Sequence, residues 1–214
     1  PFTAWVKGGD TVKPPTVTLP QGWAEQVAPS LQAAARAGEV VGVSTVATPH
    51  GPAVRVSYRG NKVPAIVPAD GSAWLPPDEA ALRRFATSLY QGNGTVTAVE
   101  HLETIPRRLG IVEETGGRGN LWRVSFSDAL GTRIYLNGGT GEFVTSRNEA
   151  WVWYDFLWRL HIMDYAGGEN FNGTLLRVSS VTAFGLVLAG MVLAVLALRR
   201  RWRMFRKQRN PDRV

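Results

Sequence analysis

The apolar positions of residues 1–177 follow two spacings, which together predict the order helix, strands, helix, strands, helix. Helical spacing follows Pro20 and again follows Pro76-Pro77, and Gly38 and Gly92 supply the two helix ends. Period-two alternation after each helix predicts strands. The predicted strands are 40–48, 54–58, 63–67, 95–102, 121–126 and 133–136. This pattern is typical of an α+β fold.

A short internal repeat lies within the pattern. The segment Arg55-Val56-Ser57-Tyr58 recurs 68 residues later as Arg123-Val124-Ser125-Phe126, and each copy is followed by a strand, a turn and a helix. Agreement in the order of the elements makes an accidental similarity a poor explanation. We therefore expect two units, each a helix plus a small antiparallel sheet, with Val56 and Val124 at equivalent inward positions.

A different pattern begins near the C-terminus. Residues 178–198 are 21 in number, carry no charge, and stop at Arg199-Arg200-Arg201. At about 1.5 Å per residue this length matches a hydrocarbon core about 30 Å thick. The stretch predicts a single transmembrane helix and makes the lipid bilayer the first expected partner.

The net charge of +7 is confined to the C-terminal tail. Residues 199–214 hold eight Lys/Arg and one acid, and the rest of the chain is neutral overall. Basic residues beside a span favour the cytoplasmic side, so residues 1–177 are expected in the periplasm and 199–214 in the cytoplasm of a bacterium, with the span in the inner membrane. The competing interpretation, a tail that binds RNA or DNA, fits this placement less well, and no nucleic-acid partner is expected.

The chain has no cysteine, which excludes a disulfide framework, a thiolate metal site and a cysteine nucleophile. It begins at Pro1 without a signal peptide. Because something must carry the outer region across the membrane, we expect an N-terminal segment, another span, to precede it.

Two segments resemble a known family. Residues 133–137 (RIYLN) with Thr140-Gly141-Glu142 and an aromatic helix after them resemble a PepSY domain. Residues 153–165 (WYDFLWRLHIMDY) followed by a span resemble PepSY-associated transmembrane proteins. Residues 38–75 form a degenerate first copy, so the resemblance covers most of the chain. It implies an inner-membrane protein with periplasmic PepSY modules. Some relatives reduce iron-siderophores or carry haem between membrane helices, and other PepSY modules are linked to peptidase inhibition.

The helix before the span contains the best candidate site. Ser146 and Glu149 have capping-box spacing, which predicts a helix start. At 100° per residue one stripe of this helix carries Trp151, Tyr154, Trp158, His161, Ile162 and Tyr165. The aromatic members are candidate interface residues that either contact a partner or lie at the bilayer surface.

His161 supports a sharper hypothesis, that its neutral imidazole is an axial ligand of haem. A second ligand would have to come from the missing segment or from another subunit, since neither His50 nor His101 has ligand-type neighbours at metal-site spacing. The alternative is a structural histidine. On either account the aromatic stripe is expected to shield His161 from water.

The sequence lacks the catalytic motifs that would indicate an active site. There is no Gly-x-Ser-x-Gly elbow, His-Glu-x-x-His helix or P-loop. The glycine-rich segment 116–120 predicts a flexible hairpin, and the adjacent Glu113 and Glu114 are expected to be solvated on an exposed loop.

These observations predict two PepSY-like units followed by one C-terminal transmembrane helix. The expected divisions are a first unit with its leading segment at 1–75, a second unit at 76–147, an aromatic juxtamembrane helix and linker at 148–177, the span at 178–198 and the cytoplasmic tail at 199–214. The first functional hypothesis is an accessory protein that supports iron uptake or redox chemistry by binding a membrane or periplasmic protein partner. The alternatives are a haem- or flavin-dependent siderophore-type reductase completed by missing spans, and a module that regulates a peptidase.

Overall fold

The computed structural model describes residues 11–60, 63–163 and 173–209, with backbone only for 204–209. The chain divides into two compact parts, residues Pro1–Phe156 and Leu157–Val214. The first of these parts holds the seven strands found among the described residues, arranged as two antiparallel sheets of three and four strands. The predicted α+β class, with two small antiparallel sheets, is therefore confirmed.

The first sheet is preceded by a helix that covers one of its faces. Helix α1 (Trp23–Arg36) is followed by β1 (Val40–Thr48), β2 (Gly51–Tyr58) and β3 (Ala65–Pro68), in the spatial order β1-β2-β3. Inward side chains of β2 pack on the helix, and the hydroxyl of Tyr58 donates a 2.9 Å hydrogen bond to the carbonyl of Ala34. The core here consists of Val27, Ala34, Val54, Val56, Tyr58 and Val67.

The second sheet repeats this arrangement with one more strand. Helix α2 (Glu79–Leu89) is followed by β4 (Val96–Leu102), β5 (Leu121–Phe126), β6 (Arg133–Asn137) and β7 (Phe143–Arg147), in the order β4-β5-β6-β7. Asp78 caps α2, since its Oδ1 accepts a 2.7 Å hydrogen bond from the amide of Ala81. The main core lies between α2 and this sheet and includes Leu82, Ala86, Leu89, Val124, Phe126, Ile134 and Leu136.

The pairing register shows that the two units are equivalent. In the first, Val56 of β2 pairs with Val43 of β1, and in the second Val124 of β5 pairs with Val99 of β4. Each edge strand also carries a β-bulge at the matching place, between Val40 and Gly42 in β1 and between Val96 and Ala98 in β4. Val56 and Val124 are both buried, so the prediction that they occupy equivalent inward positions is confirmed.

The turn between β6 and β7 packs against the first sheet. Gly141, at φ +67°, lies so close to two prolines that a Cβ built on it would be 2.5 Å from Cγ of Pro49 and 2.9 Å from Cγ of Pro77. In the same turn Glu142 pairs with Arg55 of β2, with 3.3 Å between Oε1 and the guanidinium nitrogen. These contacts place the turn beside β2.

Helix α3 (Glu149–Ile162) begins at a different cap from the one predicted. Ser146 is a residue of β7, where it pairs with Ile134 of β6. The cap is Asn148, which is fully buried and whose Oδ1 accepts a 2.8 Å hydrogen bond from the amide of Trp151. The capping-box prediction is wrong because residues 143–147 complete the sheet as a fourth strand, which leaves Ser146 no part in the helix.

Helix α4 (Thr174–Arg209) contains the uncharged stretch and continues beyond it. Its segment Thr174–Arg203 is 30 residues long, with a mean hydropathy of 2.6 in its most apolar window and no buried residue in that window. By length and composition this helix is able to cross a membrane.

Candidate functional site

The predicted stripe of α3 does not coincide with the buried side of that helix. Trp151 and Trp158 are half-buried, whereas Tyr154 and His161 are exposed. The buried residues are Val152, Arg159 and Ile162, of which only Ile162 belongs to the predicted stripe. Tyr165 lies outside the described residues. Val152 and Arg159 each follow a tryptophan of the stripe, and one residue turns a helix by about 100°, so these two residues lie beside the stripe.

His161 is not shielded as predicted. Its side chain is exposed, and the centroid of its ring lies 6.2 Å from that of Trp158. The two other histidines also lie beside tryptophans, His50 at 5.9 Å from Trp74 and His101 at 4.8 Å from Trp122. Among the described residues there is no group of three or more His, Asp or Glu able to hold a metal ion.

A buried polar cluster lies instead on the face of the second sheet opposite α2. Its centre is Glu114, which is 1% exposed and belongs to the loop 103–120. Its Oε1 accepts hydrogen bonds of 3.0 and 2.6 Å from Nε and a terminal nitrogen of Arg133, and its Oε2 accepts one of 2.9 Å from the Tyr135 hydroxyl. We call Glu114, Arg133, Tyr135 and Glu149 the Glu114 cluster.

Glu149 closes the cluster from the first turn of α3. One of its oxygens accepts a 2.7 Å hydrogen bond from Arg133 and a 2.9 Å hydrogen bond from Arg108 of the loop. Burial disfavours the charged form of Glu149, but the hydrogen bonds and positive charges of Arg133 and Arg108 outweigh this effect and hold its pKa below the usual range. The carboxylate therefore joins the sheet, the loop and the helix.

Electrostatics in the cluster favour fixed protonation states. Burial, followed by the charge of Glu114, raises the pKa of Tyr135 far above its usual value, so that its hydroxyl stays a donor. Burial opposes the charge of Arg133, but Glu114 and Glu149 overcome it and raise the pKa of that guanidinium. Chemically, the arrangement suits holding the loop on the sheet better than transferring protons at neutral pH.

Trp151 belongs to the surroundings of this cluster. Its ring lies under the guanidinium of Arg147, 4.2 Å from the ring centroid to Cζ, which is a cation–π geometry. Arg147 also donates hydrogen bonds of 2.6 Å to the Thr145 hydroxyl and 2.7 Å to the Ser146 carbonyl. Burial lowers the pKa of Arg147. The predicted interface residue Trp151 therefore already contacts Arg147 within residues 1–156.

The expectation that Glu114 is solvated is wrong. Glu113 follows that expectation in part, since it pairs on the surface with Arg107, but Glu114 turns inward. The signal lay in β6, where Arg133 and Tyr135 share one face while Ile134 and Leu136 fill the core on the other. A strand with a charge and a phenol on a covered face needs an acceptor there.

Two pockets adjoin the residues just described. One, of ≈ 580 Å³, lies along the loop and is lined by residues 103–107, 113–115 and 117–119. The other, of ≈ 500 Å³, is lined by Arg55 of β2, by Arg118, Gly119 and Leu121, and by Asn137, Glu142, Phe143 and Val144 around the β6–β7 turn.

The chain was compared with protein-family models, with curated proteins and with solved structures, and none of them matches. The resemblance to PepSY domains rests on the sequence motifs.

Proposed function

We propose that the chain is a membrane-anchored accessory protein of PepSY type, whose residues 1–177 lie in the periplasm of a bacterium and bind a protein partner. In this proposal the partner carries out iron-uptake or redox chemistry in the inner membrane, and this chain presents its two repeated units to it.

The observation that carries the proposal is the joining of two equivalent helix-plus-sheet units to one apolar helix. In repeat proteins, stacked equivalent units commonly form an extended surface that binds a partner. The apolar window of α4 is fully exposed in the chain, so bilayer or partner must cover it. The eight basic residues that follow the uncharged stretch support a cytoplasmic tail.

The absence of cysteine makes the topology directly testable. A single cysteine is introduced either at Ala24, an exposed position of α1, or at Gln208 in the basic tail. A membrane-impermeant maleimide applied to cells with a permeabilised outer membrane should label Ala24→Cys at once, and Gln208→Cys only after lysis. Labelling of Gln208→Cys in unlysed cells would overturn the proposed orientation.

Partner binding is tested separately, by photocrosslinking in cells. A photoreactive amino acid at exposed positions of the two helix-plus-sheet units should give a discrete adduct. The same amino acid at Leu175, at the start of α4, serves as a control for non-specific membrane neighbours. Adducts at Leu175 alone would contradict a partner of the periplasmic units.

The second candidate is a haem-dependent reductase completed by further spans, and the exposed His161 imidazole favours it. An exposed imidazole on the helix that precedes the candidate span is accessible to haem iron held by another helix. A Soret band in the purified full-length protein that His161→Ala removes would favour this candidate over the first.

A further inference from the structure

Arg55 lacks the ion-pair partner that its counterpart in the second unit has. The counterpart is Arg123, and its cross-strand neighbour is Glu100, whose Oε2 accepts hydrogen bonds of 2.6 and 3.2 Å from the guanidinium. The cross-strand neighbour of Arg55 at the equivalent place is Ser44, which carries no charge. The same fold position is therefore neutralised in one unit and left partly unpaired in the other.

The hydrogen bonds of Arg55 reflect this difference. Its terminal nitrogen reaches Glu142 at 3.3 Å, a long contact, and its Nε is buried with no hydrogen-bond partner in the described part of the chain. Glu142 is itself shared, since its other oxygen accepts a 2.8 Å hydrogen bond from Thr140. A buried guanidinium N–H without an acceptor is costly, so Arg55 is incompletely satisfied within the chain. Its side chain is 39% exposed, which leaves another part of the group accessible to an acceptor from outside.

The pocket of ≈ 500 Å³ beside Arg55 supplies two further donors. Arg118 lines it from the loop, and its guanidinium has no hydrogen bond or ion pair within residues 11–60, 63–163 and 173–209. Asn137 lines it from the end of β6. The amide oxygen of Asn137 already accepts from the backbone amides of Gly139 and Thr140, so its nitrogen remains available as a donor.

The charges and the walls of the pocket define the ligand. Two guanidinium groups and the Glu142 carboxylate leave one net positive charge, which suits a singly charged anion better than a phosphate dianion. Most of the lining is polar, and the half-buried Phe143 and Val144 add a small apolar part. We infer that this pocket, between β2 and the β6–β7 turn, binds a singly charged organic carboxylate. A small metabolite or the C-terminus of a peptide supplies this chemistry.

The test uses the full chain in detergent micelles and isothermal titration with N-acetylphenylalanine. The expected result is saturable binding that N-acetylphenylalanine amide does not reproduce and that inorganic phosphate does not displace. Binding of the amide with equal affinity, displacement by phosphate, or no binding of N-acetylphenylalanine would each overturn the inference.

Matched variants locate the site. Arg118→Gln should weaken binding at least fivefold without changing the melting temperature, because the side chain has no partner to lose. Arg36→Gln, which removes an exposed arginine of α1 outside the pocket, should leave binding unchanged. If both variants lost the same binding affinity, the net charge of the chain would explain the effect, and the proposed site would be overturned.

A third variant introduces a carboxylate opposite Arg55. Ser44→Glu places opposite Arg55 the residue that Glu100 provides in the second unit, so it should abolish binding while the fold is kept. Unchanged affinity in Ser44→Glu would exclude Arg55 from the site. Peptides ending in phenylalanine, with a free or an amidated C-terminus, then separate the two sources: tighter binding of the free-ended peptide than of N-acetylphenylalanine assigns a peptide terminus, and weaker binding assigns a small metabolite.

Discussion

Replacing Glu114 by glutamine tests whether the Glu114 cluster holds the loop 103–120 on the second sheet. The change removes the negative charge that faces Arg133 and leaves one amide oxygen for two donors, the guanidinium and the Tyr135 hydroxyl. Removing one partner of a buried ion pair costs about 3–5 kcal/mol, and a hydrogen bond to a charged group is worth about 1.5–3 kcal/mol. Arg133 keeps its contact with Glu149. We therefore expect Glu114→Gln to lower the free energy of unfolding by about 2–3 kcal/mol, near the lower limit of these ranges.

The adjacent residue supplies the control. Glu113→Gln makes the same chemical change one position earlier, where the carboxylate pairs with the half-exposed Arg107 at the surface. A surface pair of this kind contributes about 0–1 kcal/mol. Denaturant unfolding of the full chain in micelles, followed by tryptophan fluorescence, measures both variants. Equal losses for Glu113→Gln and Glu114→Gln would refute the argument that burial makes the difference.

Three further predictions follow from burial and charge. Val56→Ala and Val124→Ala should each lower the free energy of unfolding by about 1–3 kcal/mol in the same denaturant assay, because both side chains are buried at equivalent positions; a negligible cost for either would contradict its inward placement. His161→Ala should change it by less than about 0.5 kcal/mol because the ring is exposed, and we expect no Soret band from protein expressed with ample haem. Glu149 has a folded-state pKa below the usual glutamate value of 4.5, so the stability it contributes is present above pH 4.5 and is lost as the pH falls through the folded pKa. Thermal melts across this range should show a smaller acid loss in Glu149→Gln, and an unchanged acid profile would contradict the role given to this carboxylate.

Much of the fold was predictable because it depends on local spacing. The period-two runs gave β1, β4 and β5 to within one residue at either end, and the amphipathic helices α1 and α2 followed from their spacing and stop signals. The internal repeat was visible in four residues, Arg55–Tyr58, since it preserves the side of the strand that faces the helix. Strand β7 was missed because Phe143–Arg147 alternates weakly and ends in serine and arginine, which also suit a helix start.

The candidate sites depended on contacts that local spacing does not contain. Glu114 and Arg133 are 19 residues apart, and only the folding of the loop onto the sheet makes them partners. The buried side of α3 depends on contacts of the same kind. Aromatic content marked Trp151, Tyr154 and Trp158, but the buried side is set by what Val152 and its helical neighbours pack against, which the sequence of one helix does not reveal.

The bulge in β1 has a consequence for solubility. This edge strand has nine residues and no charged side chain, and Val41 and Val43 are 55% and 61% exposed, a combination that invites edge-to-edge pairing with other chains. The extra residue between Val40 and Gly42 interrupts the ladder and increases the local twist, so the exposed end of the strand is a poor template for a straight partner strand. The bulge thereby disfavours edge-to-edge pairing at this end of β1 without placing a charge on the strand.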